Sequence, residues 1–123
     1  MKFETKAVPD SPDHVAQFFE DLEDHPNEEE ATAYKILLKL DDWDVLTYEQ
    51  MMAAEKLKKV EGDAFEVRVK VKGDCYRFLG YIEKDTVFMV HAIKKKTNKL
   101  SRKDIELAKN RIQVIKKYEN RRT

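Results

Sequence analysis

Arg68, Lys70, Lys72 and Arg77 are the residues of this chain whose types and spacing could do chemistry. They lie in EVRVKVKGDCYRF, residues 66–78. An extended chain sends alternate side chains to opposite faces, so Arg68, Lys70 and Lys72 share one face and Val67, Val69 and Val71 the other. Gly73-Asp74 has the composition of a two-residue hairpin turn, and this predicts the pairs Lys72–Cys75, Lys70–Arg77 and Arg68–Leu79. Cross-strand partners share a face. Arg77 would then join the other cations, pointing outward with no buried partner, while Tyr76 and Phe78 pack inward with the valines. Such crowding of like charge suits a polyanion, although a solvated sheet face with basic residues has the same pattern.

A basic surface without metal can act on RNA. A 2′-hydroxyl attacking its adjacent phosphate needs a proton acceptor, cations for the charge growing on the phosphoryl oxygens, and a proton donor to the leaving 5′-oxygen. The need for that hydroxyl confines the chemistry to RNA. Other chemistries find little support. One cysteine and three dispersed histidines lack zinc-ligand spacing, so no metal or cofactor is expected. Gly62, Gly73 and Gly80 form neither a phosphate loop nor a dinucleotide fingerprint. Both serines read as helix caps, and Cys75 has no histidine beside it in sequence to serve as a base. His25 reads as a loop residue on the surface.

Composition points to one domain over residues 1–123. A single cysteine suggests a reduced compartment, and no apolar run reaches the roughly 18 residues of a membrane span, so a cytoplasmic protein without membrane contact is expected. The net charge of zero conceals a division: residues 1–50 hold 4 basic and 14 acidic side chains, residues 51–123 hold 20 basic and 10 acidic. That asymmetry fits either a nucleic-acid partner for the basic half or internal balancing by an acidic layer.

The elements that must position these residues can be read from periodicity. Residues 2–8 alternate as a first strand. Ser11-Pro12-Asp13 predicts an N-cap at Ser11 with Pro12 at the first helical position, followed by a buried stripe of Val15, Phe18, Phe19 and Leu22. Asn27 and Glu30 have capping-box spacing before a second helix with stripe Ala33, Tyr34, Leu37 and Leu40, so residues 11–42 should form an antiparallel helical hairpin, with Trp43 a core residue at its far end. Thr47 and Gln50 predict another capping box, opening a helix that carries Met51, Met52 and Leu57 to Lys59. Strands follow at residues 65–71, after Gly73, and at 86–93. Ser101, with Asp104 three residues on, caps a last helix over 101–118 with stripe Ile105, Ala108, Ile112 and Ile115. The expected fold is α+β, with helices on one side of a small antiparallel sheet.

Four elements in this order resemble the RelE/ParE toxin superfamily, and within it the phage-derived HigB-like branch: Phe65-Glu66-Val67-Arg68, Tyr76-Arg77, Lys95-Lys96-Thr97 and Ile105-Glu106-Leu107-Ala108. The resemblance implies a RelE-like fold and the toxin of a type II toxin–antitoxin system: a metal-independent endoribonuclease that cuts mRNA on the ribosome and is neutralised by an antitoxin, itself a helix-turn-helix protein. It implies that Arg77 contacts the scissile phosphate, that Arg68 supports it, and that Lys95 and Lys96 add phosphate contacts. His91 is the imidazole nearest this cluster, a candidate proton carrier or a packed strand-end residue. Lys70, Lys72, Lys94 and Lys99 complete the expected RNA contacts. The alternative is a non-enzymatic DNA gyrase inhibitor of the ParE kind, or a binding relic, on the same fold.

Overall fold

The computed structural model describes residues 1–24, 28–95 and 99–122, and of residues 24, 28–30, 95 and 122 the backbone alone. In chain order the elements are β1 (Lys2–Thr5), α1 (His14–Asp24), α2 (Glu28–Asp42), a 3-10 turn (Trp43–Val45), α3 (Tyr48–Ala53), β2 (Leu57–Glu61), β3 (Ala64–Val71), β4 (Asp74–Glu83), β5 (Thr86–Lys95) and α4 (Arg102–Arg122). One five-stranded sheet has the order β1-β5-β4-β3-β2. β2 to β5 form an antiparallel meander, as expected for the last three, whereas β1 pairs in parallel with β5, so the sheet is mixed.

Helices cover both faces, not one. On the first face, Val67, Val69, Tyr76, Phe78, Val87 and Met89 pack against Val15, Phe19 and Leu22 of α1, Ala33, Ile36 and Leu40 of α2 and Met51 of α3. On the second, Ala64, Leu79, Tyr81 and Val90 pack against Ala108, Ile112 and Ile115 of α4. The reason lies in β4, where residues 76–81 are all buried: with Tyr76 and Phe78 on one side and Leu79 and Tyr81 on the other, two layers are needed to remove both sets from water, at about 1.5–3 kcal/mol per large side chain. α4 is also tied to the sheet edge at Glu61, which accepts hydrogen bonds from Arg102 (2.9 and 2.6 Å) and Lys109 (2.6 Å). These donors hold its carboxyl at about 2.

Several local expectations change. Asp13, not Ser11, caps α1: one carboxylate oxygen accepts from the amides of Val15 (3.1 Å) and Ala16 (2.9 Å). The Thr47–Gln50 capping box is present, but α3 ends at Ala53; Glu55 adopts φ 58° and turns the chain into β2, which pairs with β3. Leu57 to Lys59 are therefore strand, because β3 needs a neighbour more than a six-residue helix needs extension. α2 buries Ala33, Ile36 and Leu40, leaving Tyr34 64 % and Leu37 45 % exposed. α1 and α2 pack on one another, and their connection, with the expected Asn27–Glu30 capping box and His25, lies outside the described residues. The β3–β4 turn is Lys72-Gly73, both at positive φ (52° and 85°), the combination that suits a twisted two-residue hairpin. Pairing shifts by two residues, to Val71–Asp74, Lys70–Cys75 and Arg68–Arg77. A two-residue shift leaves every side chain on its expected face. α4 is capped by Ser101 and continues to Arg122, with Ala108, Ile112 and Ile115 buried as anticipated. Among the described residues no helix is long and apolar enough to cross a membrane.

Candidate nucleic-acid interface

On the second face three cross-strand rows align on β3, β4 and β5: Glu66–Leu79–His91, which meets α4, then Arg68–Arg77–Ile93 and Lys70–Cys75–Lys95. Arg68 and Arg77 are thus direct neighbours on one face. What lets two guanidiniums sit side by side is Glu66. Its Oε1 accepts from Nε of Arg68 at 2.5 Å and its Oε2 from Nη1 of Arg77 at 3.4 Å. Glu66 and Arg77 are each 1 % exposed, while the side chain of Arg68 keeps 22 % of its surface. The expectation that Arg77 points outward without a buried partner is therefore corrected: its side chain is removed from water, and a buried guanidinium requires a carboxylate, which Glu66 supplies.

His91 reaches this face through a register shift. β4 and β5 slip between Leu79 and Gly80, so that Leu79 faces His91 and Gly80 faces Met89, leaving Val90 as the extra residue of a bulge. Val90 and His91 consequently share a face. Nδ1 of His91 lies 3.3 Å from Nη1 of Arg111, which also donates to the Val90 carbonyl at 2.8 Å. Nε2 lies 2.9 Å from Oδ1 of Asp104, whose Oδ2 accepts from the Ser101 hydroxyl at 2.6 Å. A guanidinium can only donate, so Nδ1 is the acceptor and Nε2–H the donor, the neutral tautomer. Burial lowers the His91 pKa first, and Arg111 and His14 push the same way, against the hydrogen bond that His91 donates to Asp104 and the charge of that carboxylate. Both ring nitrogens are engaged in fastening α4 to β5.

The other expected residues separate. Lys70 is exposed beside Arg68, and Lys72 is exposed in the turn. Lys94 projects to the first face, exposed, 3.7 Å from Asp74 and 5.8 Å from the Tyr76 ring centroid. Lys95 shares the row of Lys70 by register, its side chain outside the described part; Lys96 lies outside it altogether, and Lys99 is exposed beyond. Among the described residues no three His, Cys, Asp or Glu side chains gather as a metal-ligand group.

A cavity of about 310 Å³ opens beside Arg68 and Lys70, where the chain enters β2; Lys39, Trp43, Ala54, Glu55 and Lys56 complete its wall. Its volume falls in the range of small-ligand pockets, about 300–1,000 Å³. Lys39 Nζ donates to the Lys70 carbonyl, and Lys56 lies 5.4 Å above the Trp43 ring while its own carbonyl accepts from the Arg68 amide at 2.9 Å. Four cations, one carboxylate and an aromatic ring thus converge. Sequence reasoning missed Lys39, Glu55 and Lys56, since no periodicity links them to residues 68–70; the signal for Glu55 and Lys56 was the end of α3, read as continuing helix.

No curated protein and no solved structure matches the chain. A sequence model of the phage-derived Gp49-like proteins (DUF891) does match, over residues 20–113, from within α1 through both arginine strands and most of α4. With most of its length so matched, the chain belongs to the phage-derived Gp49-like protein family.

Proposed function

We propose that this protein is the toxin of a toxin–antitoxin pair and cleaves mRNA on the ribosome without a metal, on a RelE-like arrangement of helices and sheet. The Gp49-like family, a family of RelE-like toxins, supports the toxin reading. The observation that carries the RNA reading is the Glu66-bridged arginine pair, of which Arg68 opens onto a pocket walled by Lys39, Lys56 and Lys70. In this reading Arg68, the guanidinium that reaches the surface, binds the scissile phosphate and stabilises the charge growing on it. Arg77 is a positioning residue, acting through Glu66 to aim Arg68. Lys39, Lys56 and Lys70, with Lys72, Lys95, Lys96 and Lys99, hold flanking phosphates, and Lys94 guides RNA from the other side. Glu55, held at positive φ on the pocket wall, is the carboxylate placed to take the 2′-hydroxyl proton as the 2′-oxygen bonds to phosphorus, and the 5′-oxygen released when the P–O5′ bond breaks takes its proton from solvent water at this open pocket. His91 serves by fixing α4 to β5, both its nitrogens being occupied. A neutralising antitoxin is the implied protein partner.

One observation favours the ParE-like alternative, in which gyrase is inhibited without chemistry: Glu66 and His91, the acid and base nearest the arginines, are both tied up. Purified protein added to ribosomes translating an mRNA separates the two. The expected result is cleavage that persists in EDTA, leaves a 2′,3′-cyclic phosphate, and slows by about 10²-fold or more in Arg68→Ala and Glu55→Gln. Intact mRNA together with blocked gyrase supercoiling would establish the inhibitor instead.

A further inference from the structure

A second groove lies on the opposite face of the sheet. It runs between β1 and the two N-terminal helices, has a volume of about 550 Å³, and is floored by Phe3, Phe19, Leu37 and Leu40. Its rim is acidic: Glu4 on β1, Glu20 and Glu23 on α1, Asp41 on α2 and Asp44 just beyond, against one cationic side chain, Lys2, and the Met1 ammonium, which donates to the carbonyls of Trp43 and Asp44. The apolar surface does not stop at the rim. Tyr34, Leu37 and Leu38 stand exposed on α2 at i, i+3 and i+4, and Val45 follows at 82 % exposure. Such a run of apolar side chains in water marks a contact surface, and helical spacing marks the ridge that another helix packs against.

We infer that this groove and the outer stripe of α2 dock a cationic amphipathic helix of a partner protein. Charge selects the partner class, since an apolar helix flanked by lysines and arginines matches both floor and rim. A strand added to the open edge of β1 would find four residues to pair with and would leave Tyr34 and Leu38 uncovered. A second copy of this chain fits less well. The outer side of α4 exposes Val114 and Tyr118 as its large apolar residues, and contact between α4 of one copy and the groove of another, being heterologous, would propagate head to tail. The docking surface does not depend on RNA cleavage, because it shares no residue with the arginine face and its test reads binding.

The probe is a synthetic helical peptide with leucines on one face and lysines on the other, fluorescein-labelled, with a companion in which every lysine is glutamate. Fluorescence anisotropy on the full chain should show the lysine peptide binding at least about tenfold more tightly than the glutamate peptide. Leu37→Lys, at an exposed position, should weaken the lysine peptide by about tenfold or more. Glu20→Lys with Glu23→Lys should weaken it too and strengthen the glutamate peptide. Equal binding of the two peptides, or a lysine peptide indifferent to Leu37→Lys, overturns the proposal. So does sedimentation showing self-association that Leu37→Lys abolishes, which would make a second copy the occupant.

Discussion

Glu66 holds one arginine in the dark and another at the surface, and this sets what substitution should do. Removing Arg77 leaves a carboxylate 1 % exposed with Arg68 alone beside it. Arg77→Ala should cost about 3–5 kcal/mol in urea unfolding, where an outward-facing arginine would cost less than about 1. Replacing the pair together, Glu66→Leu with Arg77→Met, should recover much of that loss while leaving Arg68 unaimed, so stability and cleavage part company. His91 yields a pH prediction. Its pKa is lowered from 6.5, so the unfolded chain binds the extra proton more readily; the stabilisation is complete above pH 6.5 and is lost as pH falls from there toward the folded pKa. Unfolding free energy between about pH 7.5 and 5 should therefore decline more steeply for the parent than for His91→Gln. A steeper decline in the variant would show that His91 is not held neutral. At this scale the sequence disclosed which face Arg68 and Arg77 share, because strand alternation fixes it, but not that Arg77 is buried, because alternation assigns a face and not what packs over it.

Secondary structure was legible where the pattern was local, and misread where a neighbour in space decided. The stripes of α1 and α4 and the caps at Thr47 and Ser101 follow from spacing that the helix itself imposes. Leu57 to Glu61 became a strand because the β3 edge was open, and α2 turned Ile36 inward in preference to Tyr34 because the valines of β3 set which side is core. The bulge between β4 and β5 is the clearest case. Alternation alone would have placed Val90 and His91 on opposite faces, and Gly80, an isolated glycine in a strand, was the one sign that it breaks. A Cβ on Gly80 would lie 2.0 Å from the Phe88 carbonyl oxygen and 2.9 Å from the Met89 Cα, both backbone atoms that cannot swing aside. Gly80→Ala should thus cost about 2–4 kcal/mol. Because the slip in register carries His91 to Asp104 and Arg111, the same variant should also release the start of α4, seen as faster amide exchange over residues 102–108. Full stability in Gly80→Ala would mean that the bulge is not needed.

Across the whole molecule the acidic N-terminal helices and the basic C-terminal helix come to lie on opposite sides of one sheet. α1 and α2 carry acidic Glu20, Glu23 and Asp41 on the first side, and α4 brings Arg102, Lys103, Lys109 and Lys117 to the second. The asymmetry was visible in the sequence, and its acidic share falls on the helical layer that packs against the first side of the sheet, while Arg102 and Lys109 of α4 are met by Glu61. The parallel pairing of β1 with β5 has a further consequence, in time. β2 to β5 join through short turns and can zip up as they leave the ribosome, but β1 has no partner until Thr86 to Met89 are made. One wall of the acidic groove is therefore the last part of the sheet to exist, while the arginine strands meet earlier. Pulse-labelled hydrogen exchange during refolding should find the amides of β3 and β4 protected before Lys2 and Lys6, which bond to the carbonyls of Asp85 and Met89. On this order a nascent chain holds its basic surface before it can be held by a partner at the groove, and a partner awaiting it can grip nothing but the finished protein.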